Sequence, residues 1–281
     1  MAIPSIAAVR KALIAPPGKP FDLSKRDTSG REVFTDKVEA GTSLKKDAAV
    51  INELKDMLYA EGKRSLLVIL QGMDTSGKSG TIKSVFSDTT PLGMEVKAFK
   101  APSSEELARD YLWRVHNAVP RRGHVGIFDR SQYEDVLVVR VRGFAPLDEI
   151  EARYEQINAF EKHLGENGTK VVKFMLNIGY EEQGVRLKER LKEVHKLWKF
   201  NPGDLDDRSR WAEFMAAYQL AVSRCSTRHS PWYVVPSDSR TRRNAAIARI
   251  VRGAMEDMEL KWRDPGLKPE SFDFGEGRIS S

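Results

Sequence analysis

The run from Ser65 to Gly80 reads SLLVILQGMDTSGKSG. Its first seven residues form a short apolar stretch closed by Gln71, the pattern of a parallel strand buried on both faces. Gly72 to Ser79 then matches the phosphate loop G-x-x-x-x-G-K-[ST] at every fixed position, and GTIKSVFSD continues with helical character. Glycines let the backbone N–H groups of such a loop turn inward as an anion nest, and the following helix adds the partial positive charge of its N-terminus. The candidate phosphate-binding residues are therefore Gly72, Thr75, Ser76, Gly77, Lys78, Ser79 and Gly80, with Lys78 reaching a phosphate oxygen and Ser79 supplying a hydroxyl to Mg²⁺. Asp74 is an unusual residue here. A carboxylate among phosphates is repelled unless it meets a metal ion or a transferring proton, and an Asx-type turn is the structural alternative.

Outward from this loop, strand and helix patterns alternate. Strands are predicted at 65–71, 94–100, 124–131, 170–178 and 231–237. Helical spacing is read at about 45–60, from a Ser103/Glu106 capping box to about 118, at 146–168, 180–198, 207–224 and 240–259, with another helix beginning in YEDVLVVRV. Five strands separated by helices predict an α/β fold with a parallel sheet wrapped by helices, in one domain over 49–264. Residues 1–48, rich in Pro, Gly, Lys and Asp, read as an extended arm, 180–225 as a helical excursion, and 265–281 as a flexible tail.

Composition narrows the function classes. Net charge is +6, from 46 Lys+Arg against 40 Asp+Glu. Such an excess favours anionic partners without choosing among nucleic acid, membrane surface and polyanionic small molecules. Cys225 is the single cysteine, which excludes an intramolecular disulfide and a Cys-rich metal site. No apolar run reaches the roughly 18–20 residues of a membrane span. The first residues lack the compact apolar core of a signal peptide, so the expected location is cytoplasmic. His116, His124, His163, His195 and His229 show no metal-ligand spacing.

Two further clusters point to phosphate chemistry. HVGIFDRS places Asp129 at the C-terminal end of a predicted strand, where P-loop folds hold Mg²⁺. Asp129, Asp74 and Ser79 are the candidate metal ligands. Arg130 follows at once as a candidate phosphate contact, and Glu134 falls at the same mouth; a helix N-cap with a surface charge pair is the structural alternative. Between Arg186 and Lys199 there are six Lys/Arg and two acids. On a continuous helix, Lys188, Lys192, Lys196 and Lys199 share one face, Arg186 and Arg190 another, and Leu187, Leu191, Val194 and Trp198 form a buried stripe between them. An Arg carried over a P-loop by a helix is the usual form of a catalytic lid. Arg208, Arg210, Arg224, Arg228, Arg240, Arg242 and Arg243 extend the positive field, a surplus over what one nucleotide needs and a pointer to a longer polyanion.

GMDTSGKSG, FDRSQYEDVLVVRV, RLKERL, HKLWKF and CSTRHSPWYVVPSDSRTRRN together resemble the family-2 polyphosphate kinases, from about Pro16 to about Met258. The resemblance implies a three-layer, thymidylate-kinase-like P-loop fold with a five-stranded parallel sheet and a helical lid. It implies Mg²⁺-dependent, reversible transfer between inorganic polyphosphate and AMP or ADP, with guanine nucleotides as further acceptors to test, in a homodimer or homotetramer. By position, Asp74, Lys78, Asp129, Arg130 and Glu134 match the family's functional residues, as does Arg186 or Arg190. Lys188, Lys192, Lys196, Lys199 and Arg208 are the expected polyphosphate contacts. YEDVLVVRV resembles a subgroup that accepts both AMP and ADP, whereas an Asp at 129 resembles an ADP-preferring subgroup. Two rival readings are an ATP-dependent nucleoside monophosphate kinase and a basic nucleic-acid-binding ATPase module. The sequence contains no recognised nucleic-acid module, so neither nucleic acid nor membrane is an expected partner.

Overall fold

The computed structural model describes residues 3–268 together with 271 and 272, and the side chains of all of these except 195 and 196. In chain order the elements are α1 (Ile6–Leu13), α2 (Lys37–Glu61), β1 (Ser65–Gln71), α3 (Lys78–Val85), β2 (Met94–Ala98), α4 (Ser104–Leu107), α5 (Trp113–His116), β3 (Val125–Asp129), α6 (Val138–Arg142), α7 (Leu147–Glu166), β4 (Thr169–Asn177), α8 (Tyr180–Lys192), α9 (Gly203–Ser209), α10 (Trp211–Cys225), β5 (Trp232–Pro236) and α11 (Arg240–Glu256). The five strands form one sheet in the order β2-β3-β1-β4-β5, every pair parallel.

Strand alternation divides the interior into two layers. Leu66, Val68 and Leu70 face one side, with Ile51, Val85 and Ile247 from α2, α3 and α11. Leu67 and Ile69 face the other, with Ile157 and Val222 from α7 and α10. Because β1 is fully buried, it reads in the sequence as an unbroken apolar run. It lies between β3 and β4, so the loop leaving its C-terminal end opens at the point where the strand order reverses, the usual place for a ligand crevice.

Several elements differ from the sequence reading. The expected extended arm contains α1, capped by Ser5, and α2 begins at Lys37, capped by Asp36. Val9 and Leu13 are buried, and Ala15 N donates to Trp232 O at 2.8 Å, so this segment covers the β5 edge. The Ser103/Glu106 capping box forms as expected, but the helix it starts stops at Leu107. Asp110 accepts from the amides of Leu112 and Trp113 and so starts a new helix. The helix expected over 180–198 ends at Lys192; Glu193 is extended and Val194–Lys199 is 3-10. The heptad-like Lys face therefore does not continue beyond Lys192, and Leu191, Val194 and Trp198 are exposed rather than buried. Most of the tail expected at 265–281 lies outside the described residues.

Asp47 clamps α2 to α11. Its carboxylate is fully buried and meets Arg249 Nε at 2.9 Å, Arg252 at 3.2 Å and the Ser43 hydroxyl at 3.2 Å. Asp47→Ala leaves Arg249 without its carboxylate, and we expect a loss of about 2–3 kcal/mol. The check is denaturant unfolding, with a lowered midpoint and an unchanged slope.

Candidate active site

The loop after β1 is shaped by two glycines that no other residue replaces. Gly72 has φ +149°, and a Cβ there would lie 2.8 Å from the Leu176 carbonyl oxygen of β4. Gly77 has φ +106°, and a Cβ would lie 2.1 Å from the Arg243 guanidinium. Thr75 also sits at positive φ, +64°, an unusual conformation for a β-branched residue. Lys78 opens α3 with its ammonium folded back onto the carbonyls of Gly72 (2.8 Å) and Met73 (3.5 Å).

The second strand brings its carboxylate to the same place. β3 runs beside β1 with Asp129 opposite Leu70, and Ser79 Oγ donates to Asp129 Oδ2 at 2.9 Å. Arg130 follows at φ +67° and its amide continues the ladder to Leu70 O. That left-handed residue turns the guanidinium back over the loop. It donates to Asp74 at 2.7 Å and to Glu134 at 3.3 Å. Gln71, the last residue of β1, donates to the other oxygen of Glu134 at 3.1 Å. Asp74, Lys78, Ser79, Asp129, Arg130 and Glu134, read from two separate stretches of sequence, thus form one cluster. Asp74 is not an Asx-turn residue; its carboxylate is engaged by Arg130.

The two arginines of α8 separate clearly. Arg186 is buried, and its five N–H donors meet five acceptors: the Glu182 carboxylate and the carbonyls of Thr75, Ser76, Ser237 and Asp238. Arg190, one turn on, donates to Asp204 at 2.9 Å and to Lys199 O at 3.2 Å. Its charge acts on Asp74. Arg208 donates to Tyr180 O and Gln183, with its guanidinium 3.4 Å from the Tyr180 ring centroid. Lys188, Lys192 and Lys199 are exposed, and the side chain of Lys196 is outside the description. Of the remaining basic run, Arg242 and Arg243 are buried rather than part of a surface field. Arg242 holds the carbonyls of Phe34 and Thr35, and Arg243 holds that of Ser76 at 2.8 Å.

Charge and burial set the protonation states. Burial pushes the Asp74 carboxyl up, but Lys78 and Arg130 outweigh it and hold it below the ordinary carboxylate range. Burial and the Arg130 charge push the Lys78 ammonium down, against the pull of Asp74, Asp129 and Glu134. Burial also lowers Arg130, but Glu134 and Asp74 more than reverse it, so its guanidinium stays charged. Asp204 is pushed up to about 6, by burial first and then by the charge of Asp74, with Arg190 opposing.

For the implied Mg²⁺, the donor set is the test. Among the described residues no cluster of three or more His, Cys, Asp or Glu is placed to hold a metal. The Ser79 hydroxyl and Asp129 carboxylate are hard oxygen donors in contact, the small protein share that Mg²⁺ takes when water and phosphate oxygens complete its shell. These two residues fit the ion.

Four neighbours escaped the sequence reading. Gln71 carried a signal, being the one amide in an apolar strand. Arg243 was visible only as part of a basic run. Asp204 had none. Tyr218 reads in the sequence only as one of the aromatics Trp198, Phe200, Trp211, Phe214 and Tyr218 of the excursion, taken as lid core. In the structure it is buried, with burial and then the Glu134 charge pushing its phenol up.

Comparison with known proteins identifies the family to which the chain is similar. The family model described as polyphosphate kinase 2 matches residues 34–263. An AMP/ADP-polyphosphate phosphotransferase of Meiothermus ruber is 42% identical over 94% of this chain and 99% of its own. An ADP-polyphosphate phosphotransferase of Rhodopseudomonas palustris is 35% identical over 87% and 89%. The crystal structure of polyphosphate kinase 2 from Arthrobacter aurescens TC1 superposes with a TM-score of 0.89 at 40% identity, covering 95% of each chain.

The close approach at Gly72 gives a direct test. Gly72→Ala places a Cβ against a backbone oxygen at a φ that L-residues avoid. We expect destabilisation by about 2 kcal/mol or more, read as a lowered midpoint of thermal or denaturant unfolding.

Proposed function

The chain belongs to the polyphosphate kinase 2 family, and from that premise we propose that it transfers phosphoryl groups between inorganic polyphosphate and adenine nucleotides, using AMP and ADP as acceptors. The observation that carries this reading is the meeting of Ser79 with Asp129 beside the Arg130 that spans Asp74 and Glu134. A P-loop hydroxyl, a strand-end carboxylate and a fixed guanidinium at one mouth are the parts phosphoryl transfer requires.

In the proposed reaction a nucleotide phosphate oxygen attacks the terminal phosphorus of the chain in line. The O–P bond forms as the bond to the next phosphate breaks, and the shortened polyphosphate leaves with that electron pair. A phosphate nucleophile is already ionised, so no residue acts as a strong base. Lys78 moves from the Gly72 and Met73 carbonyls to a phosphate oxygen, and Arg130 neutralises charge spreading over the equatorial oxygens. Asp74 and Glu134 orient Arg130. Arg190 is the lid arginine, while Arg186 shapes the loop from behind. Ser79 and Asp129 hold Mg²⁺, which when bound neutralises charge on the phosphate oxygens. The exposed Lys188, Lys192 and Lys199 support the reading of a path for a longer polyanion, though Arg208 is held within the lid. One phosphoanhydride is exchanged for another, so the reaction runs in either direction as concentrations dictate.

Purified protein with Mg²⁺, long-chain polyphosphate and AMP, ADP, GMP or GDP in separate reactions tests the reading by chromatography. ADP and ATP are the expected products from AMP. Absence of any product with polyphosphate, alongside transfer from ATP to a monophosphate, would replace it with an ordinary nucleotide kinase. The two lid arginines give a sharper expectation. Arg190→Ala should lower kcat about 100-fold or more, with a fall in thermal midpoint smaller than that of Arg186→Ala, since it costs Asp204 a single partner. Arg186→Ala strands buried carbonyls and should cost about 3 kcal/mol of stability, visible as a lowered midpoint before any assay.

A further inference from the structure

Among the described residues outside the phosphate site, one ion pair has both side chains fully buried, and its network reaches the turn that carries Arg130 and Glu134. Lys173 on β4 and Glu161 on α7 have side chains at 0% exposure and meet at 2.5 Å. Lys173 has three acceptors: Glu161, the Tyr133 hydroxyl at 2.8 Å and the Cys225 carbonyl at 2.7 Å. Glu161 has four donors. Oε2 accepts from Lys173 and from Ser230 at 2.7 Å; Oε1 accepts from Tyr133 at 2.7 Å and from Gln132 at 3.0 Å.

Gln132 and Tyr133 are the two residues just before Glu134 and just after Arg130-Ser131. Both side chains end on the same carboxylate oxygen. They therefore pin the inner face of the 3-10 turn Gln132–Asp135, whose other side presents Glu134 to Arg130 and Gln71. The turn needs pinning, because Arg130 is held at φ +67°, a conformation that costs roughly 1–3 kcal/mol and persists only where the surroundings over-determine it. The third arm of Lys173 holds the last carbonyl of α10, the helix that carries Tyr218.

An ion pair is a poor choice for stability at such a place. Apolar side chains of similar volume often serve as well or better, because the charges lose their water. What an ion pair supplies and an apolar filling lacks is direction. We propose that Glu161 and Lys173 are positioning residues for phosphoryl transfer: through Gln132 and Tyr133 they set the angle at which Arg130 and Glu134 face Asp74.

This rests on the phosphotransfer reading, so the test carries two readouts. In Glu161→Leu/Lys173→Met both charges go and the volume is nearly kept. We expect a lowered thermal midpoint, because the Gln132 amide, the Tyr133 and Ser230 hydroxyls and the Cys225 carbonyl each lose a buried partner. At temperatures well below that midpoint, kcat for polyphosphate-dependent transfer should be reduced about tenfold or more, with KM for polyphosphate within about threefold. Hydrogen exchange, which needs no activity, should be about tenfold faster in peptides covering 130–135 while those of β1 are unchanged. A folded double variant with unsubstituted kcat and unchanged exchange in 130–135 would overturn the proposal. If the unsubstituted protein shows no transfer, the functional reading fails, and the exchange result still decides whether the network fixes the turn. Should the double variant not fold, Tyr133→Phe takes its place. It removes one hydroxyl and should lower kcat about fivefold, with undiminished kcat and unchanged exchange counting against the proposal.

Discussion

A loop that turns its amides toward a phosphate must turn carbonyls the other way, and in this protein those outward carbonyls are met by buried arginines. Thr75 O and Ser76 O accept from Arg186, Ser76 O also accepts from Arg243, and Lys78 takes the carbonyls of Gly72 and Met73. Without these partners the loop would bury unpaired acceptors, each costing about 1–3 kcal/mol. The fold is arranged to deliver them: α8 brings Arg186 from the excursion after β4, and α11 brings Arg243 from the helix after β5. Gly77 is a glycine for the same reason, since the Arg243 guanidinium occupies the space of its side chain.

Burying two guanidiniums side by side is costly. Burial, then the neighbouring Arg186 and Arg240, push Arg243 down to about 9, so it remains charged at neutral pH but with less margin than a surface arginine. The offset is geometric. Five acceptors around Arg186 and the shared contact on Ser76 tie the first turn of α8, the loop after β5 and the phosphate loop into one rigid unit. The excursion is therefore rooted at Arg186; Arg190, Lys192 and the 3-10 segment lie beyond that root, and the Arg190 charge reaches Asp74.

Much of this was legible in the sequence because it is local or periodic. The phosphate loop, the five parallel strands and Asp129 at a strand end follow from spacing alone. Asp74, Arg130 and Glu134 read as sharing one mouth, and the structure brings them together, but the ion pairs joining them are not legible, because those depend on Arg130 adopting a left-handed conformation. Tertiary contacts decided the rest. A run of lysines at helical spacing read as one face, but Glu193 leaves the helix, and no local rule marks that break. Arg242 and Arg243 read as surface charge because basic residues usually are; only the packing of α11 against α2 and α3 shows that they are internal. Lys173 and Glu161 were invisible for the same reason, one inside an apolar strand and the other on a polar-looking helix.

The cations at the mouth share a common condition: each already has a partner. Lys78 rests on carbonyls, Arg130 on Asp74 and Glu134, and Arg190 on Asp204. In the proposed reaction phosphate binding is thus an exchange of partners rather than the discharge of bare buried charges. Unpartnered cations at such depth would lose their own charge or bind phosphate too tightly to release it, as the cost of a buried charge implies. Asp74 stays ionised under the field of Lys78 and Arg130, which suits it to hold Arg130 and not to donate a proton. A site built this way binds the donor and the product polyphosphate by the same exchange, which is what a phosphoanhydride swap of nearly equal free energy on both sides requires.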